Sequence, residues 1–451
     1  MADEPCRGNR NCSMKHIPIH SLCHIVVLDE EHSLVFGSPP EWIKKASGFP
    51  FPRHVFLGET TLYNGFNCTE VEFPIYKNYF FNKMRQTSII APVKNLPRLQ
   101  SIVSEALLGP ESYGVTYQQQ KAAYFTNRLA VHKNFDPSED RLLLEDYAQF
   151  LPYSEDRFET LGAVIRLVDR DSFLVQYGNR ELEISLSYIP SARDKKNPSG
   201  KKVEGHLSLY CFDSGDGFSE NKECTSFLLN IGGRYLIVDP SALCFDRLID
   251  RGYSHQDIAA IFISHVHADH DQGLYRFLRY NQNIPILAGE IVMESLRKKI
   301  AGMVGSTDYL QHITLIPLKL GGKTGLDFLP LDIHCELGFH SIPSVMMKIY
   351  FRDRNLSSHV FGYSGDTLFD PGLYSTEGFN QDYRRELEGF FGDATILVHE
   401  GGAGLIHTDP EDLIPFLGKN QEVFWVHTSR EDQNAFSRGK VLTKDQNLRF
   451  E

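Results

Sequence analysis

The chain has 451 residues, 41% of them hydrophobic and 23% charged, with a formal net charge of −12 at pH 7. That length allows two domains with a sizeable buried core, and the composition is ordinary for a globular protein. The acidic balance argues against a broad nucleic-acid-binding surface, because phosphate backbones are held mainly by clustered Lys and Arg; a small basic pocket for one phosphorylated ligand is compatible with it.

The opening "MADEPCRGNRNCSMKH" lacks the apolar core of a signal peptide, and residues 1–20 are expected to form a flexible N-terminus. No apolar run approaches the length of a membrane span. None of the eight cysteines forms a CxxC pair, so reduced thiols and a cytoplasmic location are expected. Cys6, Cys12, His16, His20, Cys23 and His24 cluster early, but their irregular spacing does not read as a zinc site. Asn11 and Asn67 begin glycosylation sequons, which mean nothing in a cytoplasmic chain.

An α+β N-terminal domain is expected over residues 21–195. "HIVVL", from His24, reads as a strand. "NLPRLQSIVSEALLGP" sets Leu99, Ile102, Val103, Ala106 and Leu107 at helical spacing before a Gly109-Pro110 stop. "DPSEDRLLLEDYAQFL" reads as a second helix, with Asp136 or Ser138 as its cap. "SFLVQYGNRELEISLSYI" reads as a hairpin about Gly178-Asn179. No chemical motif stands out here, so a regulatory, substrate-selecting, dimerising or structural role stays open. The boundary falls in "SARDKKNPSGKK", Ser191 to Lys202, which is polar and broken by Pro198 and Gly200.

From residue 205 to 451 the pattern changes. "CTSFLLNIGGRYLIVDPS" reads as a hairpin around Gly232-Gly233 that ends at Asp239. "DIAAIFISHVHADH" reads as a buried strand running into three histidines and an aspartate. Strands follow in "SVMMKIYF", "SHVFGYSGD", "ATILVHE" and "VFWVHTS", and helices at 272–280, 288–300, 383–390 and 410–418. Hairpins that give way to alternating strands and helices imply a sheet-rich core covered by helices.

Strand alternation predicts that His265 and His267 project to one side, with Asp269 and His270 at the turn into the next helix. One metal can sit on the first pair and a second on the following Asp and His. Imidazole and carboxylate suit zinc, with manganese or iron as competitors. His340, Asp366 and His427 each end a later predicted strand, and Gly365 permits a sharp turn before Asp366. Asp366 has two oxygens with which to bridge two metals.

"HVHADH" matches the HxHxDH signature of the metallo-β-lactamase fold, and the resemblance extends over roughly Gly205 to Glu451, with Asp239 at that family's strand-end aspartate. It implies an α/β fold, an αββα sandwich with a dinuclear metal site between two sheets. By the match, His265, His267 and His340 hold one metal, Asp269, His270 and His427 hold the other, and Asp366 bridges.

The set contains no Cys, unlike many β-lactamases of this fold, and has His267 where flavodiiron proteins have Glu. "SGDTLF" resembles glyoxalase II and its thioesterase relatives. "FHSIPSVMMK" and "ILVHEGGAGLIHTDPEDL" instead resemble the phosphodiesterase branch, which includes tRNase Z and cyclic-nucleotide phosphodiesterases. Thr408 and Glu411 read as a capping box, which places His407 just before a helix N-terminus suited to phosphate. The short gap between His399-Glu400 and His407, with no basic clamping arm, shifts weight from tRNA to a small phosphodiester.

The expected activity is therefore that of a dinuclear metal phosphodiesterase acting on a small phosphodiester, foremost a cyclic nucleotide. Asp269 would orient the nucleophile as well as bind metal, His407 or else His399 would donate a proton, and His399 and Glu400 would orient groups around the metals. The alternatives are a tRNase Z-like endonuclease, a thioesterase or glyoxalase II-like hydrolase, and a non-catalytic nucleotide-binding module. No membrane partner is expected, and a homodimer is compatible with the resemblance.

Overall fold

The structure, a computed structural model, describes residues 14–59, 62–63, 66–67, 69–187, 205–352, 355–372, 386, 388–404 and 406–450. Cys6, Cys12, Cys68, the sequon at Asn11, the linker at Ser191–Lys202 and half of the helix expected at 383–390 lie outside the described residues. The chain divides into two compact units.

The first unit takes in residues 1–104, 142–194 and 302–306. Its six-stranded sheet has the spatial order Lys15–His20, Cys23–Val27, Ser33–Phe36, His54–Phe56, Thr87–Ala91, Ala148–Pro152. A four-stranded meander, Arg157–Thr160, Ala163–Asp169, Ser172–Tyr177 and Arg180–Ser185, shares one core with it around Phe36, Phe56, Phe173 and Ile184. The hairpin at Gly178-Asn179 forms as expected. The second expected helix does not: "DPSEDRLLLEDYAQFL" yields only a short helix, Leu144–Tyr147, and then the strand Ala148–Pro152. Pairing with Thr87–Ala91 outweighs the local helical pattern there.

The second unit comprises residues 105–141, 195–301 and 307–451. It opens with helix α1 (Tyr117–Arg128), which precedes the linker in sequence yet groups with the residues beyond it. Two seven-stranded sheets come next. The first contains β1 (Leu207–Asp213), β2 (Ser226–Ile231), β3 (Arg234–Val238), β4 (Ile258–Ile263), β5 (Ile286–Gly289) and β6 (Leu315–Leu318). The second contains β7 (Gly322–Leu326), β8 (Leu331–Gly338), β9 (Ser344–Phe351), β10 (Val360–Tyr363), β11 (Ile396–Glu400), β12 (Glu422–Val426) and β13 (Lys440–Val441), and β14 (Asn447–Phe450) returns to the edge of the first.

The spatial orders are β6-β5-β4-β3-β2-β1-β14 and β7-β8-β9-β10-β11-β12-β13. In each sheet the pairings begin antiparallel and become parallel: from β3 onwards in the first, from β10 onwards in the second. Parallel neighbours need crossovers, and these carry α2 (Cys244–Asp250), α3 (Ala268–Asp271), α4 (Leu274–Tyr280), α5 (Glu290–Val304) and α6 (Pro410–Leu413). The sheets face each other through Phe227 against Phe361 and Tyr363. This is the αββα sandwich of the metallo-β-lactamase fold. Among the described residues, no helix is long and apolar enough to cross a membrane.

Candidate metal centre

Strand β4 is "IAAIFI", apolar and almost wholly buried, as a strand covered on both faces must be. It ends at Ile263, so His265 and His267 stand in the loop beyond it and not on the strand. His267 precedes α3 directly, and Asp269 and His270 fall in that helix's first turn. The other three residues also come just after strand ends of the facing sheet: His340 after β8, Asp366 after β10 and His427 after β12. Ends of parallel strands are where open α/β sheets bind ligands.

Two of these exits need unusual backbone. Gly365 has φ 55°, and a Cβ there would come within 2.9 Å of the Val345 carbonyl oxygen. His427 has φ 53° without being glycine, a conformation that persists only where its surroundings hold it. Its backbone N–H donates to Thr225 Oγ1 at 2.9 Å.

All seven expected ligands converge. His265, His267, His340 and Asp366 form one group and Asp269, His270 and His427 another, each with its ligand atoms within 4.8 Å of one another. His267 Nδ1 lies 3.0 Å from His265 Nε2 and 3.2 Å from His340 Nε2. His427 Nε2 lies 3.1 Å from Asp269 Oδ2 and 3.3 Å from Asp366 Oδ2. Asp366 Oδ2 is also 3.4 Å from His270 Nε2 and 3.8 Å from His265 Nε2, so one carboxylate touches both groups.

The donor chemistry fits cations. Burial, reinforced by the neighbouring histidines, holds His265 and His267 well below the ordinary histidine range, and burial takes His340 down to about 3. Three neutral imidazoles thus meet with lone pairs available. Burial opposes charge on His270 and His427 as well, but the Asp366 and Asp269 carboxylates outweigh it, raising His270 strongly and His427 to about 9. A cation would displace those protons. Asp366 Oδ1 is buried without a hydrogen-bond partner, which a bound cation would satisfy. Among the described residues, the groups able to hold a metal all lie at this centre.

Asp239, at φ 45°, organises the loop from behind. Its carboxylate accepts from Ser264 N at 2.7 Å, from the Ser264 hydroxyl, from Tyr363 OH at 2.7 Å and from His270 Nδ1 at 2.9 Å. The last contact leaves His270 Nε2 facing the other ligands. The role of Tyr363, which comes from the opposite sheet, has no sequence signature.

Asp271 has the sequence position of a cap for the helix that follows, but it does not cap α4. It is fully buried against Lys299 of α5, whose ammonium lies 3.0 and 2.9 Å from its two oxygens and also donates to the Val266 carbonyl.

The remaining expectations divide. His407 joins Asp366 and His427 in a third group, with Nδ1 3.4 Å from Glu400 Oε1 and 3.8 Å from Asp366 Oδ2. Burial lowers and Glu400 raises its affinity for a proton, and Glu400 prevails, so His407 sits above the usual range. Its side chain remains one-fifth exposed (21%), which leaves a path to a ligand. Glu400 is buried and accepts from Thr367 N (3.2 Å), Gly402 N (3.0 Å) and Thr408 N (2.9 Å), tying three loop segments together. His399 is not brought to the cluster: its Nδ1 meets the Glu400 carbonyl oxygen at 2.8 Å, and its ring packs beside Phe391 and Trp425. The Thr408–Glu411 capping box does not form either. Asp409 caps α6, Thr408 Oγ1 donates to the Thr367 carbonyl, and Glu411 bonds Ser437. Helix α6 has only four residues, too few for a strong N-terminal anion site.

The family described as Anti-Pycsar protein Apyc1 matches residues 207–448. The cAMP/cGMP-dependent 3',5'-cAMP/cGMP phosphodiesterase B of Dictyostelium discoideum is 22% identical over 92% of this chain and 43% of its own length. The cGMP-dependent 3',5'-cGMP phosphodiesterase A of the same organism is 26% identical over 51% of this chain and 26% of its own length. The chain thus spans less than half the length of these curated relatives. The metallo-β-lactamase fold protein YhfI of Bacillus subtilis superposes with a TM-score of 0.41 at 15% identity, covering 54% of this chain and 99% of that one.

Proposed function

The chain belongs to the family of Anti-Pycsar protein Apyc1, and on that premise we propose that it is a dinuclear metal-dependent phosphodiesterase that opens a cyclic nucleotide. The observation that carries the reading is Asp366, shared by two imidazole-rich groups and flanked by a protonatable His407. His265, His267 and His340 would hold one divalent ion, Asp269, His270 and His427 the other, with Asp366 between them. Zinc suits this donor set best, with manganese or iron as substitutes. Such ions, when bound, supply an acidified water, its pKa brought from about 15.7 towards roughly 7, and neutralise phosphoryl charge.

The chain's own residues do the rest. Asp269, beside His427, orients the attacking water as well as binding metal. His407 delivers a proton to the departing ribose oxygen, its hold on that proton strengthened by Glu400 and its side chain partly open to solvent. Glu400 keeps that proton in place and fixes the loops that carry Thr367 and His407. His399 takes no part beyond packing, since its ring is enclosed by Phe391 and Trp425.

The test is a side-by-side assay of the metal-loaded chain on cAMP, cGMP, a thioester and a precursor tRNA. Turnover of a cyclic nucleotide is expected to exceed the others by orders of magnitude. Preference for the thioester or the RNA would overturn the assignment.

A further inference from the structure

We infer that residues 105–141, which lie well before the linker, are a working part of the metal-binding unit: they clamp the loop that carries His340, and Phe125 is a positioning residue for that ligand. The inference rests on the metal-centre reading above. These residues group with the sandwich and not with the first unit.

Both sides of His340 are held by this segment. On one side Phe125, 2% exposed on α1, meets Phe339 edge to face, with ring centroids 4.9 Å apart and planes at 65°. Phe339 is fully buried and directly precedes the ligand. On the other side Ile342 and Pro343 lie against Gly109. A Cβ on Gly109 would stand 3.1 Å from Pro343 Cδ and 3.8 Å from Ile342 Cβ, and its φ of 73° already favours glycine.

The two arms are tied to each other. Tyr113 OH donates to Thr126 Oγ1 at 2.9 Å. Arg141 donates to the Leu108 carbonyl and to Asn127 Oδ1, both at 3.1 Å. Thr116 and Gln119 close a capping box at the start of α1.

The clamp matters because the His340 ring, though packed beside His265, His267 and His407, has a weak anchor on its outer nitrogen. Its Nδ1 reaches the Ile406 carbonyl oxygen only at 3.3 Å, a long contact, whereas His270 has the Asp239 carboxylate at 2.9 Å. The backbone of 339–343 must therefore place the ring. Toward the centre that backbone is fixed by Thr367 Oγ1, which accepts from Phe339 N at 2.9 Å, and by Leu368 N, which donates to the Phe339 carbonyl at 2.7 Å. The aromatic pair and the Gly109 contact close its other side.

The experiment compares Phe125→Ala, Phe125→Leu and a control, Phe245→Ala, in the full chain. Phe245 is comparably buried in the same unit, and its ring packs against Phe277, Tyr280 and Arg276 of α4. Zinc affinity is measured by chelator competition, alongside the thermal midpoint and the kcat and KM for a cyclic nucleotide. Phe125→Ala should weaken zinc binding about 10–100-fold, as loss of an outer support does, and lower kcat more than it changes KM. Phe125→Leu should restore most of the affinity. Phe245→Ala should lower the midpoint comparably while leaving zinc affinity within about 2-fold.

Wild-type zinc affinity in Phe125→Ala, or an equal loss in the control, would overturn the proposal. Should Phe125→Ala fail to fold, Gly109→Ala presses the same loop from its other side and must weaken zinc binding if the clamp is real. A wild-type chain that binds zinc but turns over no cyclic nucleotide would sink the phosphodiesterase reading and leave the clamp to be judged on zinc alone.

Discussion

Lys299→Met removes a buried ammonium that braces the ligand loop at two points. Lys299 is 1% exposed and donates to the carbonyl of Val266, between His265 and His267, and to Asp271, the residue after His270. Methionine keeps most of the length and the apolar stem, so the change isolates the charge. It leaves a fully buried carboxylate without its cation, which costs about 3–5 kcal/mol.

The cost has a pH signature. Burial already pushes the Asp271 carboxyl up to about 6, although Lys299 pulls it down. A carboxyl raised in the folded state binds more protons there than in the unfolded chain, so stability falls as pH rises through that window. In the native protein the fall ends near pH 6; without Lys299 the carboxyl rises further and the fall continues, by about 1.4 kcal/mol per pH unit. Thermal denaturation of the metal-free chain at pH 6 and pH 8 measures this, read on the transition that the substitution moves. At pH 8 the midpoint should drop by roughly 6–20 °C, at about 2–4 °C per kcal/mol, and by clearly less at pH 6. Pairing the change with Asp271→Asn should recover more than half. A loss under about 1 kcal/mol at pH 8, or one that does not vary with pH, refutes the reasoning.

Three further substitutions probe separate parts of the account. His407→Gln should lower kcat by about 10²–10⁴-fold while metal content by elemental analysis stays at the wild-type level; a matching loss of metal would make His407 a ligand instead of an acid. Gly365→Ala forces a Cβ to 2.9 Å from the Val345 carbonyl at a φ of 55°, so it should destabilise by about 1–3 kcal/mol and weaken metal binding, as a chelator titration would detect. Glu223 accepts from Arg247 Nε at 3.1 Å and Lys444 at 2.5 Å, and although burial opposes its charge these cations hold it below the ordinary carboxyl range. That stabilisation is complete above the unfolded value near 4.5 and is lost as pH falls through the lower folded one, so Glu223→Gln should cost about 1–2 kcal/mol in urea titrations at pH 7 and progressively less below about pH 4.5.

The proposed ligand set is legible in the sequence because its members carry rare chemistry at the ends of strongly apolar strands. "IAAIFI" and "VFWV" identify themselves by composition, and the polar residues just beyond each are conspicuous. The supports behind those ligands were less legible. Lys299 comes from a helix whose pattern shows only an amphipathic stretch, and its partner Asp271 looks like a cap until α5 is seen beside it. The sequence favours His407 over His399 as the proton donor, and packing separates the two: Trp425 and Phe391 enclose His399, while Glu400 and Asp366 face His407. The stretch from Asp136 misled because its leucines suit a helix, while Thr87–Ala91 offered a parallel edge that only the fold supplies. The allegiance of residues 105–141 was hidden for the same reason, since Phe125 and Phe339 are far apart in the chain and their contact leaves no local pattern.

The central claim is that Asp366 joins two metal positions that together cleave a phosphodiester. The most direct measurement counts bound zinc per chain by elemental analysis and follows cAMP hydrolysis, in the wild type and in Asp366→Ala. Two ions per wild-type chain with turnover, and a substituted chain that loses at least one ion and all but a trace of activity, is the predicted result. Unchanged metal content with unchanged hydrolysis after the substitution would contradict it.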